Sequence, residues 1–161
     1  MKSIMICYII TISYLFAHCQ VPCGIYDDAR KIIEIEEDIM TIKKAINNIQ
    51  LISNQSIQTA QDMNQLVRWI NTKEEHAQHI QNTIMEYFLS QRIKPKELNN
   101  VDYLKYVSMT TFCQQIIFYA MKTKQSVDIK HLGELSNILN ELENIYFDSH
   151  GLEHLNKLRN N

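Results

Sequence analysis

The apolar residues of this sequence recur every three or four positions over four long stretches, a spacing that places side chains on one face of a helix. The first predicted helix covers about residues 28–53, and the second ends near residue 93, just before Pro95. The third and fourth cover about 97–123 and 128–147. Four amphipathic helices of similar length joined by short polar loops predict an all-α fold, an up-down four-helix bundle.

Each predicted helix has an apolar face that we expect to form the core. Cys113 lies within this pattern on the third helix and is predicted to be a buried thiol. After the fourth helix, Gly151 interrupts what is predicted to be a short polar tail. The predicted core residues are Ile32, Ile35, Ile39, Ile42, Ile46, Ile49, Met63, Leu66, Ile70, Ala77, Ile80, Ile84, Tyr87, Leu104, Val107, Thr111, Ile117, Met121, Leu132, Leu135, Leu139, Leu142 and Ile145.

Composition and charge narrow the function classes. The chain of 161 residues is long enough for one domain with a real core, and only three Gly and two Pro favour long helices. A net charge of −2 gives no basic field, so no nucleic-acid partner is predicted. No stretch after residue 17 is long and apolar enough to cross a bilayer, so no membrane partner is predicted after residues 1–17 are removed.

Residues 1–17 have the character of a cleaved leader. Lys2 precedes an almost unbroken apolar run, and Ala17 is a small residue before a polar one, as in a signal peptide. The site is imperfect, because Leu15 stands where a small residue is usual. Cleavage would make His18 the first residue. Export to the periplasm or the cell exterior is therefore predicted, with removal by a dedicated protease in the cytoplasm as the alternative.

Potential metal ligands follow the leader directly. If His18 is the first residue, its amine, the Cys19 amide nitrogen, and the Cys19 and Cys23 sulfurs can form a plane of two nitrogens and two sulfurs. The His18 imidazole can then bind axially. Square-planar nitrogen and sulfur ligation suits Ni(II) or Cu(II), whereas zinc prefers a tetrahedral site. Two thiolates would also stabilise Ni(III). Taken alone, the cysteine pair is equally compatible with a disulfide in an exported protein.

A ten-residue segment that we call the hook (residues 18–27) resembles the nickel-hook signature of the nickel-containing superoxide dismutases, H-C-x-x-P-C-G-x-Y-D. The segment here is His18-Cys19-Gln20-Val21-Pro22-Cys23-Gly24-Ile25-Tyr26-Asp27. The resemblance continues through Arg68, residues 73–78 and Lys94-Pro95. It implies disproportionation of superoxide to O2 and H2O2 by cycling Ni(II)/Ni(III). It also implies one nickel ion per chain and a four-helix bundle assembled as a homohexamer.

The resemblance also implies roles for single residues. His18, Cys19 and Cys23 match the metal ligands, and Tyr26 matches a tyrosine of the substrate pocket that gates access and donates a hydrogen bond. For Tyr26, packing at the start of a helix is the alternative. Glu34 falls at the position of a glutamate that hydrogen-bonds the axial imidazole and fixes its orientation.

Two further residues carry weaker implications. His76 falls where the family has an arginine paired with that glutamate, and Lys94 is placed to attract superoxide; ordinary surface roles are the alternatives for both. Gln20 stands where many members have Asp, which changes any proton handling there. Asp28 replaces a frequent Pro, with an expected effect on the helix start.

Two other functions stay open at this point. An exported helical protein could bind copper or nickel through the hook without turnover. A helical interaction module could instead be stapled by a Cys19–Cys23 disulfide and hold no metal. His150 and His154 are four apart, but Gly151 between them and their place in the tail weaken a metal-binding pair. The remaining histidines are therefore all predicted to lie at the surface; they are His79, His131, His150 and His154.

Overall fold

The computed structural model describes residues 27–160. Within this range the chain is helical and contains no strand. The elements are α1 (Asp28–Ser53), α2 (Ala60–Asn82), a π-helical segment (Thr83–Arg92) that continues α2, α3 (Tyr103–Gln125), α4 (Ile129–Tyr146) and α5 (Ser149–Arg159).

Side chains just before the helices cap their first turns. The Asp27 carboxylate accepts a hydrogen bond from the Ala29 amide (3.0 Å) at the start of α1. Thr59 and Asp62 form a capping box at the start of α2, where each side chain accepts from the other residue's amide. Asp128 caps α4 in the same way as Asp27 caps α1. These caps explain why the helices begin where they do.

Contacts between helix ends establish the up-down topology. Tyr87 in the π segment and Tyr146 at the end of α4 both bond to Asp28 at the start of α1. At the opposite end of the bundle, Gln50 near the end of α1 donates to the carbonyl of Val127, just before α4. α1 therefore runs antiparallel to α2 and to α4. The predicted helical bundle is confirmed.

The isoleucine stripe of α1 forms the centre of the core. Ile35, Ile42 and Ile46 have no exposed surface, and Ile39 is partly buried at the edge of the same cluster. The predicted leucines of α4 pack against this stripe; Leu132, Leu135, Leu139 and Leu142 are all buried. The spacing of apolar residues every three or four positions predicted these two buried faces correctly, because each helix has one clear apolar stripe.

The predicted inner face of the third helix is wrong in its first half. α3 begins at Tyr103 rather than near residue 97, and Leu104 is 77% exposed. Val107 and Thr111 are exposed as well. The physical reason is that apolar residues occur all round this helix, so the sequence does not single out one face. The residues that α3 buries are Cys113, Ile116, Ala120 and Thr123.

The predicted buried thiol of α3 is confirmed. Cys113 is fully buried, and burial raises its pKa to about 12 because the thiolate would lose its hydration.

The first half of α2 differs from its prediction. Met63 and Ile70 were predicted to be inward but are exposed, and α2 buries residues only from Lys73 onward.

The predicted polar tail is wrong, because residues 149–159 form the helix α5. Asp148 caps this helix by accepting from the Gly151 amide (2.8 Å). Leu155 is fully buried in the core of the bundle. At Gly151, an added Cβ atom would lie 2.7 Å from a ring carbon of Phe147, so the absence of a side chain lets the chain turn tightly there. Within residues 27–160, no helix has the length and apolar character needed to span a membrane.

Candidate functional site

The predicted metal ligands lie just outside the part of the chain that the structure describes. His18, Cys19, Cys23 and Tyr26 all precede residue 27, so their predicted roles stay predictions. Asp27, the last residue of the hook, is the first described residue. The structure therefore shows how the bundle holds the chain at the point where the hook ends and α1 begins.

Asp28 is held by three side chains from two other elements. Its carboxylate accepts hydrogen bonds from the hydroxyl of Tyr87 (2.5 Å) and the hydroxyl of Tyr146 (2.7 Å), and it forms an ion pair with Arg92. The Arg92 guanidinium also lies over the Tyr87 ring, 5.4 Å from its centroid. We call these four residues the Asp28 cluster. They fix the first residue of α1 to the π segment and to the end of α4.

Electrostatics inside the Asp28 cluster keep the two tyrosines and Arg92 in the protonated forms that can donate hydrogen bonds. Burial, reinforced by the hydrogen bond to Asp28, raises the pKa of both Tyr87 and Tyr146 well above the usual value for a phenol. The hydrogen bond to Asp28 likewise raises the pKa of Arg92. Both tyrosines are therefore hydroxyl donors at neutral pH, and Arg92 stays positively charged beside the carboxylate.

Asp27 is held from the other side, by the C-terminal helix. His154 Nε2 lies 2.5 Å from Asp27 Oδ2, while Oδ1 accepts the capping bond from Ala29. Burial acts to raise the pKa of Asp27, but the hydrogen bonds from His154 and Ala29 outweigh it and leave this pKa lowered. His154 was predicted to be an ordinary surface residue. It is partly exposed, but it is bonded to the last residue of the hook.

Glu34 and His76 do not contact each other in this structure. Glu34 is bonded to Lys31 (2.6 Å), and His76 Nδ1 lies 2.6 Å from Asp38 Oδ1, one helical turn beyond Glu34. No hydrogen bond therefore joins Glu34 to His76 among the described residues, although one of the two roles considered for His76 requires such a contact. His79, predicted to be a surface residue, also bonds to Asp38, with 2.6 Å between Nδ1 and Oδ2.

Asp38 explains why the two histidines turn toward α1. Its carboxylate is only 5% exposed, and a buried carboxylate needs hydrogen-bond donors. His76 and His79, three residues apart on α2, supply one donor to each oxygen. The sequence places an acidic residue inside the isoleucine stripe of α1, and a carboxylate at such a position requires hydrogen-bond donors from a neighbouring helix.

Lys94 lies at the rim of a positively charged cavity of about 240 Å³. Arg92, Lys96 and Lys105 also line this cavity, and Asp102 is the acidic residue among its lining residues. Arg92 belongs to the Asp28 cluster as well, so the cavity adjoins the point where the hook joins α1. Arg92 is paired with Asp28, so the three lysines against Asp102 leave a local positive potential that favours small anions.

Sequence reasoning missed three residues that hold the base of the hook. Arg92, Tyr146 and His154 were not assigned a role, although each bonds to Asp27 or Asp28. One signal was available: Asp28 is an acidic residue where the resembled family often has proline, and an acidic residue in a partly buried place requires donors. Which distant side chains supply those donors depends on the tertiary fold.

An all-helical bundle that follows a segment with two cysteines and a histidine is compatible with a metal-dependent oxidoreductase. The family model described as nickel-containing superoxide dismutase matches residues 14–150, and the chain belongs to that family. It is accordingly an oxidoreductase whose substrate is superoxide and whose family metal is nickel. Comparison with the curated proteins and with the solved structures gave no match. The family match ends at residue 150, so nearly all of α5 lies beyond it.

Proposed function

We propose that this chain disproportionates superoxide to O2 and H2O2 by cycling Ni(II)/Ni(III) at the hook, with one nickel ion per chain. In this proposal, removal of residues 1–17 exposes the His18 amine, and His18, Cys19 and Cys23 bind the metal. The observation that carries the proposal is the run of seven matching residue types in the hook, which lies inside the family match.

The donor set of the hook fits nickel. Two thiolates, an amine and a backbone amide nitrogen are donors that favour square-planar Ni(II). Bound nickel would supply a one-electron redox couple. The thiolates of Cys19 and Cys23 would donate charge that stabilises the oxidised metal, and the His18 imidazole would be a further donor to it. Oxidation is also the main hazard for such thiolates, so the surrounding chain must shield them.

Proton supply is the second requirement of the reaction. Two superoxide ions and two protons give one O2 and one H2O2, so the site has to deliver two protons for each cycle. Tyr26 is the residue that we assign to gating and to donating a hydrogen bond to the small oxygen anion. Gln20 stands where many members have an acid, so this chain lacks a carboxylate proton carrier at that position.

The described residues support a fixed attachment for the hook. Asp27 and Asp28 are bonded to side chains from α5, α4 and the π segment, which fixes the two residues at which α1 begins. Further along the same helix, Glu34 lines a cavity of about 360 Å³ with Arg30 and Leu158 among its neighbours. A carboxylate beside an open cavity is suited to orient the His18 imidazole, as proposed for Glu34.

The positively charged cavity beside the Asp28 cluster supports electrostatic attraction of superoxide. Lys94, the residue that we assign to this task, is exposed and belongs to that cavity. A small anion approaching the base of the hook would meet a positive potential there, and such potentials raise association rates. Because the lysines are solvated, the effect would weaken as salt is added.

Assembly and location complete the proposal. We assign the chain to a homo-oligomer, a hexamer by resemblance to the family. Exposed apolar side chains around the start of α3 support association, since Leu98 is 80%, Val101 95% and Leu104 77% exposed. The leader-like residues 1–17 support export to the periplasm or the cell exterior, with processing in the cytoplasm as the alternative.

N-terminal sequencing and metal analysis of the native protein test the proposal. We expect a chain that begins at His18, contains about one nickel ion and destroys superoxide. Cys23→Ser should lose both nickel and activity, whereas Cys113→Ala, which removes the buried thiol of α3, should keep both. A native chain that retains a residue before His18 and is fully active would overturn it. Bound metal without superoxide loss would indicate a metal-binding protein, and two oxidised sulfurs without metal would indicate a disulfide-stapled module.

A further inference from the structure

The C-terminal helix α5 is an addition to the part of the chain that the family model covers. The match ends at residue 150, whereas α5 runs over Ser149–Arg159. Even so, α5 is not a loose appendage. Leu155 has no exposed surface, and Leu158 packs against the same core cluster. The helix α5 is therefore an integral part of the bundle.

Polar contacts fasten α5 chiefly to the beginning of α1. Arg159 at the end of α5 bonds to Glu36 of α1 and to Glu143 of α4. Near the middle of α5, His154 bonds to Asp27, the residue before α1. The His154–Asp27 hydrogen bond and the Arg159–Glu36 ion pair thus hold α5 against the N-terminal half of α1, and Leu155 is buried in the core between them.

The contact with Asp27 is the one that concerns the hook, because Asp27 is its last residue and lies four positions after Cys23. Both oxygens of this carboxylate are in use: Oδ1 caps α1 through Ala29, and Oδ2 meets His154. If the hydrogen bond from the Ala29 amide to Oδ1 were the only contact, the carboxylate could still change its orientation around that hydrogen bond. The second bond removes this freedom and fixes the side chain on which the hook ends.

Exposure distinguishes a positioning role from a purely stabilising one. The His154 side chain is 44% exposed and the Asp27 side chain 33% exposed. Pairs with this much solvent contact contribute little to global stability. By contrast, the orientation of groups that adjoin a metal site strongly affects metal affinity and activity. The effect of this pair should therefore be local.

We propose that His154 is a positioning residue for the nickel hook, and that α5 is the element that carries it to Asp27. This inference rests on the proposed function of the hook. It gives α5, which lies almost entirely beyond the family match, a task in the dismutation of superoxide. The ligands and the redox chemistry stay those of the hook; His154 acts on them through Asp27.

The test compares three variants of the full mature chain: His154→Ala, the conservative His154→Gln, and His150→Ala as a control one turn earlier on the same helix. We expect His154→Ala to lose nickel to a chelator roughly tenfold faster and to lower kcat by roughly threefold to tenfold. Its melting temperature should change by no more than about 3 °C. His154→Gln, which keeps a donor for Asp27, should recover most of the loss, and His150→Ala should behave like the unmodified protein.

Amide hydrogen exchange gives a readout that does not depend on nickel. In His154→Ala, exchange should accelerate at Ala29 and in the hook, while the amides in the middle of α1 stay unchanged. Unchanged exchange together with unchanged nickel retention would overturn the inference. An unmodified protein without nickel or activity would instead refute the proposed function; the exchange comparison would then still decide whether His154 holds Asp27.

Discussion

The hydroxyl of Tyr146 donates a 2.7 Å hydrogen bond to the carboxylate of Asp28, and this contact joins the last residue of α4 to the first residue of α1. Tyr146→Phe removes the donor but keeps the ring. We expect the free energy of unfolding to fall by about 1–2 kcal/mol, because a hydrogen bond to a partly buried charged group is lost. Urea unfolding measures this change.

A matched control is Tyr119→Phe, since the Tyr119 ring packs edge-on against Phe118 and the described structure shows no hydrogen bond for its hydroxyl. The control should change the stability by less than about 0.5 kcal/mol. Equal losses in the two variants would show that the bond to Asp28 contributes nothing specific.

Asp28→Pro tests whether the stability of the protein depends on the aspartate that stands where the family often has proline. Proline is well tolerated at the first position of a helix, so the backbone should accept it. The substitution removes the partner of Tyr87, Tyr146 and Arg92 at once. We expect a loss of about 2–3 kcal/mol in the free energy of unfolding. Asp28→Ala, measured beside it by urea unfolding, should lose a similar amount; a fully stable proline variant would contradict the role of the cluster.

Lys73 connects α2 to the end of α3 and is only 3% exposed. Its ammonium donates to the carbonyl of Thr123 (2.7 Å) and to that of Lys124, which are otherwise free at a helix C-terminus. Lys73→Met keeps most of the length of the side chain and removes the donors. We expect thermal unfolding to show a loss of about 2 kcal/mol. Lys43→Met, at an exposed position of α1, should have almost no effect.

Glu143 gives the stability a pH dependence whose sign can be worked out. Burial raises its pKa above the ordinary value of 4.5, although Arg159 opposes the shift. The folded protein therefore holds this proton more tightly than the unfolded chain. The contribution to stability is complete below the unfolded pKa and is lost as the pH rises through the folded pKa.

Glu143→Gln removes this titration. Its free energy of unfolding, relative to the unmodified protein, should increase as the pH rises above the ordinary glutamate pKa of 4.5. The buried Oε1 atom of Glu143, which has no hydrogen-bond partner within the described residues, points the same way. Urea unfolding of the nickel-free protein measures the trend. Glu141→Gln, at an exposed position of α4, should show no such trend; a flat difference for Glu143→Gln would be the contrary result.

Lys94→Glu tests electrostatic attraction at the cavity beside the Asp28 cluster. Reversing the charge of one of the three lysines there should lower kcat/KM for superoxide by roughly threefold to tenfold at low salt, with little change in nickel content. The difference should shrink at high salt. Lys130→Glu carries the same charge change on an exposed residue at the opposite end of the bundle. If both variants lose equally, the effect is one of net charge rather than of this site.

Periodicity predicted the core of α1 and α4 correctly because each of these helices has one apolar stripe. Ile35 and Leu135 are buried as expected. It failed at Leu104, since α3 is apolar on several sides and only its neighbours decide which side is covered. It also failed for residues 149–159, where a glycine and several polar residues concealed a short helix with one deeply buried leucine, Leu155.

The candidate site was predictable only in its local part. The hook is a contiguous motif, so its residues can be recognised in order along the chain. The residues that hold its base come from far away in sequence: Tyr146 lies 118 positions from Asp28, and His154 lies 127 positions from Asp27. No local pattern encodes such pairs. They follow from the way the helix ends meet in the folded bundle.

The π winding of residues 83–92 has a consequence for insertions and deletions. In an α-helix, residues five apart point about 140° away from each other, whereas π winding brings positions i and i+5 into line. Tyr87 and Arg92 are five apart, and both bond to the same Asp28 carboxylate. A deletion that restored ordinary winding without shortening the interval between Tyr87 and Arg92 would turn Arg92 away from this carboxylate, whereas a deletion between the two would leave them four apart, on one face of an α-helix. The spacing of Tyr87 and Arg92 and the winding between them, together with the identities of these two residues, therefore constrain how this stretch of the gene can evolve.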